Sequence, residues 1–466
     1  MKSLNAIMMG GHEVLPLVEG GKGVAISTGA SSGAWAAAGG VGTVSAVNAD
    51  TYNDDGSIHE QVYHGKTRRE RFEELVQFGI AGGIAQIQKA HDIRGGAGAL
   101  NINVLWEMGG AERILHGILE KTKGMVNGVT CGAGMPYRLS EIAAQYGVHY
   151  YPIISSARAF NALWRRAYSK CVEYLGAVVY EDPWLAGGHN GLSNSEDPNV
   201  PQDPYPRVKE IRDLMRKLGV PDTIPIIMAG GVWYLRDWEN WIDNPELGPI
   251  AFQYGTRPLL TKESEISDAW KHKLLTLDEG DILLHKFSPT GFYSSAVKNK
   301  FLQRLVDRSA RQIAFSAKPE GDLVAELALP PRGRAVYVKA EDKPKAEAWI
   351  AQGFPEAMKT PDDTLVFAGV EEAARIRTNQ KECMGCLSHC MFSNWADNEK
   401  NSTGRKVDPR SFCIQKTLQS ISHSDEIDDN LMFAGHNAFN FGTDPFYSNG
   451  FVPTVKQLVD RIASGD

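Results

Sequence analysis

The sequence predicts a (β/α)8 barrel that carries a C-terminal α+β insert and a Cys-rich segment. Three observations lead there. About eight short apolar stretches alternate with helix-like ones up to about residue 255. Those stretches are apolar almost without interruption, as strands buried on both faces of a parallel sheet must be. A Gly-rich loop follows nearly every one of them, whereas an open doubly wound sheet gathers such loops at a single switch point.

The units follow in order. Residues 14–20 (VLPLVEG) read as the first strand, then comes a Gly loop, a small helix over 31–38 and a second strand over 42–46. Phe72, Leu75, Val76, Gly79 and Ile80 recur at helical spacing and predict a long amphipathic helix over 66–91. LNINVLW (100–106) is a strand with a helix over 110–122 behind it. The strand at 126–130 runs into CGAGMP and a helix over 138–146; HYYPIIS (149–155) runs into a helix over 157–175. The strand at 177–181 ends in DPWLAGGHNG, followed by a polar, Pro-rich excursion over 193–206 and a helix over 206–218. IPIIMA (224–229), a helix over 234–244 and PIAFQY (249–254) complete the set.

Beyond about residue 316 the character changes. Residues 333–376 read as a small βαβ piece, residues 380–415 carry most of the cysteines, and a final helix near 453–463 packs back on the barrel. The expected domains are thus a barrel over 1–315, a small α/β insert over 316–380, and a Cys segment with tail over 381–466.

Composition narrows the function. A hydrophobic fraction of 42% and a charged fraction of 23% are those of a globular enzyme. A net charge of −7 argues against general nucleic-acid binding, which needs a basic face. The N-terminal stretch has no sustained apolar core, and the small-residue run over 24–47 lacks the Leu, Ile and Phe density of a membrane span. The expected compartment is the cytoplasm, with neither membrane nor nucleic acid as partner. Six cysteines in 466 residues are not a disulfide framework.

Two places carry chemistry. Two successive strands end in Ala229-Gly230-Gly231 and Tyr254-Gly255-Thr256. The last two loops of such barrels commonly bind phosphate through main-chain N–H groups, and a Cβ there would hold the phosphate off. Val178 to Gly191 is a buried strand ending in an acidic pair and a Gly-Gly-His-x-Gly loop. His189, flanked by Gly188 and Gly191, is placed to give or take a proton near neutral pH, with Glu181 or Asp182 as its orienting carboxylate.

The blocks GGKGVAIS, GGVGTVSA, LNINV, VTCGAGMP, PIISSARA, LAGGHNG, PIIMAGG, FQYGTRPL and GFYSSAVKNKFL, in that order, resemble the nitronate monooxygenase family. That family, once called 2-nitropropane dioxygenase, includes the FMN-dependent enoyl-ACP reductases. The resemblance spans roughly 14–310 and 431–463. It implies an FMN-dependent (β/α)8 barrel, with the phosphate on Gly230, Gly231, Gly255 and Thr256 beside Tyr254. It further implies a ring lying against Gly20, Gly21 and Lys22, with Asn101 or Asn103 and the Gly187-Gly188 pair nearby, and His189 as the active-site histidine. Lys22 departs from the family's methionine; a cation there would stabilise an anionic reduced flavin or an anionic substrate.

Cys383, Cys386 and Cys390 form C-x2-C-x3-C, and Cys413 follows within a span of 31 residues. Four thiols so spaced fit metal ligation. They resemble the [4Fe–4S] segment of dienoyl-CoA reductase-type flavoproteins, with structural zinc or free thiols as alternatives. The expected enzyme is therefore an FMN oxidoreductase acting on a small nitronate-like substrate with O2. The alternatives are an NAD(P)H-dependent enoyl or quinone reductase with a cluster relay, and a non-catalytic flavin or cluster subunit. NAD(P)H or an electron-transfer protein is the expected redox partner of the second reading, and the chain is compatible with a homo-oligomer.

Overall fold

The computed structural model describes residues 1–466. Eight parallel strands close into a ring: β1 (Leu17–Glu19), β2 (Val41–Ser45), β3 (Ala99–Leu105), β4 (Gly128–Gly132), β5 (His149–Ile154), β6 (Val178–Glu181), β7 (Ile226–Ala229) and β8 (Ile250–Tyr254). Each strand pairs with its neighbours in sequence. Ile226 lies opposite Val178 on one side and Ile250 on the other, and Phe252 opposite Leu17 closes the ring. The predicted barrel is thus the observed one.

Side-chain alternation explains why these strands are apolar throughout. Val178, Tyr180, Ile226, Met228 and Phe252 point outward into the main core under the helices. Val179, Ile227, Ala229, Ala251, Val18 and Tyr151 point inward and fill the barrel. Both faces are dry, so both need apolar side chains. Two short antiparallel strands, Ile7–Met9 and His12–Val14, precede the barrel, and their Met9 and Val14 join its inner core.

The helices α1 (Gly29–Ala37), α2 (Arg68–Arg94), α3 (Ala111–Lys121), α4 (Leu139–Tyr146), α5 (Ala157–Arg166) and α6 (Pro204–Lys217) wrap the ring. α2 starts where Thr67 and Glu70 form a reciprocal capping box. Two expected helices are shorter or tighter than their sequence pattern. The stretch read as 157–175 breaks after Arg166 into two 3-10 turns, because Tyr168 turns into the core against Tyr150, ring centroids 4.8 Å apart. The stretch read as 234–244 is a 3-10 helix, Leu235–Trp241, kinked at Trp238. There Trp238 packs edge-on against Trp241 and Phe252, and aromatic packing overrides α-helical torsions.

The residues after the barrel add strands that pair antiparallel. Gln312–Ala314, Thr364–Ala368 and Glu356–Lys359 form one sheet, and Ala325–Leu329 with Arg334–Val338 a second. The parallel βαβ reading of 333–376 therefore gives way. Glu356–Lys359 and Thr364–Ala368 are joined by a tight turn, and a parallel pair needs a crossover of about a dozen residues. A small core of its own, with Leu327, Val338, Leu365 and Phe367, holds this part together. Further along, after α7 (Asp268–Leu274), α8 (Lys300–Ala310), α9 (Lys343–Ala351) and α10 (Val370–Lys381), α11 (Ile414–His423) lies beside the barrel mouth, where Gln415 Oε1 accepts from Asn48 Nδ2 at 2.6 Å.

The inner core makes a stability prediction. Ile227 is 1% exposed. Ile227→Ala is expected to cost about 2–5 kcal/mol, read as a lower urea midpoint with an unchanged denaturant slope.

Candidate active site

The C-terminal ends of the strands surround a cavity of about 1610 Å³ in empty volume, part of it open to solvent. Gly20, Gly21, Lys22, Asn103, Gly187, Gly188, His189, Gly230, Gly231, Tyr254, Gly255 and Thr256 all line it. Asn101 does not. It also points into the barrel, but two residues below Asn103 on β3, beside Tyr151 in the dry interior.

One end of the cavity is built for an anion. Gly230 and Gly231 sit at φ +90° and +78°, in the left-handed region that a side chain resists. A Cβ on Gly231 would also meet Leu185 at 2.7 Å, whereas one on Gly255 would meet nothing and would project into open space. The main-chain N–H groups of Gly231, Val232, Gly255 and Thr256 make no hydrogen bond within the chain. Main-chain donors are rarely left unsatisfied when withdrawn from water, so four at one end of a cavity fit a phosphate or carboxylate. The Thr256 hydroxyl stands beside them, accepting from Gly435 N at 2.9 Å. The residues present thus fit the phosphate of FMN.

His189 follows β6, the strand that neighbours β7 in the ring. It forms a two-residue strand with Gly188 that pairs with Ser294 and Ser295. Those serines belong to a hairpin, Ile282–His285 and Ser294–Val297, folded over the barrel mouth. The hairpin's turn delivers Ser288, whose Oγ lies 2.6 Å from His189 Nε2, and Thr290 Oγ1 lies 2.8 Å beyond that. Burial lowers the His189 pKa to about 4. Its neighbour His285 is lowered to about 4 as well, by burial first and by His189 second. At neutral pH the imidazole is therefore uncharged and can accept a proton or share one with the Ser288–Thr290 hydroxyls.

The acidic pair expected to orient His189 does something else. Asp182 Oδ1 accepts from Trp184 N at 2.9 Å and Leu185 N at 2.8 Å, closing the turn after β6. Glu181 points into the barrel mouth, and burial, with Asp182 next to it, raises its pKa to about 8. Ser288 is the hydrogen-bond partner of His189, and nothing in the local pattern around either residue announces the pair; they are 99 positions apart.

Lys22 turns back on its own strand. Its Nζ donates to Glu19 Oε1 at 3.1 Å and to the Gly20 carbonyl at 2.9 Å, while Ser31 Oγ donates to the same Glu19 oxygen at 2.5 Å. Burial lowers the Lys22 pKa, and Glu19 opposes that shift. The ammonium is thus held in an ion pair, and it anchors the loop after β1. Tyr254 contributes its main chain, its carbonyl accepting from Gly20 N at 2.9 Å, while its ring packs on Trp35.

The four nominated ligand cysteines cluster but do not make a metal site. Cys383, Cys386 and Cys390 are buried and Cys413 partly so. Burial first, and the neighbouring thiols second, raise Cys386 well above its ordinary pKa. Burial likewise takes Cys390 to about 12 and Cys413 to about 11. Cys383 Sγ accepts from Gly385 N at 3.4 Å and from Ser393 Oγ at 3.1 Å. No three His, Cys, Asp or Glu side chains form a group able to hold a metal ion. The expected [4Fe–4S] or zinc centre is therefore not supported by this arrangement of side chains.

Over residues 6–380 the sequence matches the family model described as nitronate monooxygenase. No curated protein matches it. Among solved structures it is similar to FabK from Thermotoga maritima, at 15% identity over 97% of this chain and 92% of that one, with a TM-score of 0.49. It is also similar to nitroalkane oxidase from Streptomyces ansochromogenes, at 18% identity over 62% and 78% of the two chains, with a TM-score of 0.44. A third is the enoyl reductase domain of MlnA from Bacillus amyloliquefaciens, at 13% identity over 96% and 94%, with a TM-score of 0.45.

The burial of His189 is directly measurable. Imidazole titration by nitrogen NMR, with His189→Gln to assign the signal, should give a midpoint near 4. A midpoint at the ordinary histidine value would contradict the placement.

Proposed function

The chain belongs to the nitronate monooxygenase family, and on that premise we propose that it oxidises a nitronate-like anion with O2, using FMN held in the barrel mouth. The family makes it an FMN-type oxidoreductase. The observation that carries the finer reading is an uncharged His189, hydrogen-bonded to Ser288, on the rim of a cavity whose other end offers four free main-chain N–H groups.

FMN, when bound, supplies the two-electron acceptor that is reoxidised by O2. The protein's part is placement and proton handling. Gly231, Val232, Gly255 and Thr256 would hold the phosphate through their N–H groups. The loop anchored by the Lys22–Glu19 pair would form one wall of the ring site. Neutral His189 would take a proton from the substrate or donate a hydrogen bond to its oxygen, and Ser288 would fix the ring and relay the proton toward Thr290. The cavity would keep bulk water away from the reacting carbon. A second reading is an NAD(P)H-dependent enoyl or quinone reductase on the same scaffold, for which the side of the cavity open to solvent would admit the nicotinamide.

Anaerobic mixing separates the two. Propyl-1- or propyl-2-nitronate should bleach the bound flavin while NADH and NADPH do not; bleaching by a reduced nicotinamide alone would favour the reductase. His189→Ala should lower kcat/KM by about 10²–10⁴-fold with flavin content unchanged. Because the His189 pKa is lowered, the neutral form persists on acidification. On preformed nitronate, corrected for the substrate's own protonation, the rate should stay level from pH 8 to 5 and fall only toward about 4.

A further inference from the structure

The cavity has two chemically different ends. The β7 and β8 side is glycine and main-chain N–H. Across the mouth, beyond β2 and β3, the wall is aliphatic: Val47, Met108 and Met432 face Ile414, Leu418 and Ile421 of α11 in the same continuous space. All six are buried against bulk water. The polar pair there, Asn48 and Gln415, is joined through Asn48 Nδ2 and Gln415 Oε1 at 2.6 Å, which tethers α11 to the loop after β2 and leaves Asn48 Oδ1 as an unpaired acceptor. Ile414, Leu418 and Ile421 lie outside residues 6–380, the part that matches the family. Val47 and Met108 of the same wall lie within that part, so the wall joins residues from inside and outside the matched range.

We propose that this arm of the cavity takes an unbranched aliphatic chain of the substrate, so that the preferred substrate is an anion with a long alkyl tail. The assignment rests on the flavin-site reading above. With the cofactor's anionic group at the β7–β8 end and His189 after β6, the aliphatic arm toward α11 is where the non-reacting part of a substrate would lie. Six aliphatic side chains line that space against a single unpaired polar atom, Asn48 Oδ1, so it rewards methylenes. Each methylene moved from water into it contributes a fixed increment, which makes chain length the readout.

The test uses the FMN-loaded protein and the unbranched carboxylates from butanoate to octanoate, planar anions that mimic nitronates without reacting. Binding is followed by perturbation of the flavin spectrum and by calorimetry. Affinity should rise about fourfold per methylene. Leu418→Trp, which fills the arm, should flatten that series while leaving butanoate binding within about twofold. A flat series in the unmodified protein overturns the proposal, as does a Leu418→Trp protein that loses all members equally; if that variant does not fold, the unmodified series alone decides. Should no nitronate of any length reduce the flavin while the carboxylate series remains steep, the proposed reaction fails and the aliphatic arm stands.

Discussion

Main-chain hydrogen bonding is the constraint on which the structure rests. Closing eight parallel strands into a ring leaves no strand edge, so every strand donor inside the barrel has a neighbour. The ladder ends only at the rims. At the C-terminal rim β7 hands over to Gly230 and Gly231, both at positive φ, and β8 to Gly255, and the N–H groups that follow make no hydrogen bond within the chain. Four main-chain donors are thereby left without a partner at one end of the cavity. Gly230 and Gly231 are needed because their turn is left-handed, and Gly255 because a side chain there would project into the open space.

The other half of the site is assembled from distant sequence. His189 is fixed by pairing with a hairpin about a hundred residues later, which also brings Ser288 to its ring. α11 and the Met432–Ala438 stretch then complete the cavity wall. Arginines on α2 bind the Cys segment in place: Arg71 donates to the Cys383 and Lys381 carbonyls, and Arg68 to that of Gln380. The segment that looked like a redox centre thus packs as a structural cover, with Cys386 forming part of the cavity wall.

Local pattern made the barrel legible, because strands buried on both faces are unmistakably apolar and each is followed by glycine. The anion end was legible for the same reason: paired glycines at two consecutive strand ends are a local signal. Three things were not. The break after Arg166 depends on Tyr168 meeting Tyr150, a tertiary contact. The partner of His189 is a serine in a distant turn, whereas of the nearest carboxylates Asp182 satisfies its own turn and Glu181 points into the barrel mouth. The cysteine spacing suggested ligation, but spacing does not say whether the side chains converge on one point as a metal requires, and here they do not form such a group. Asn101 and Asn103 show the resolution limit of alternation: both point inward, yet only one reaches the mouth.

The central claim is that the unpaired N–H groups after β7 and β8 hold the cofactor's phosphate. It is tested most directly by titrating flavin-stripped protein with FMN and with riboflavin, which differ only in that group. FMN should bind one per chain and roughly a hundredfold or more tighter than riboflavin, since charge-assisted hydrogen bonds are about twice as strong as neutral ones and several act together. Equal affinity for the two would contradict the account.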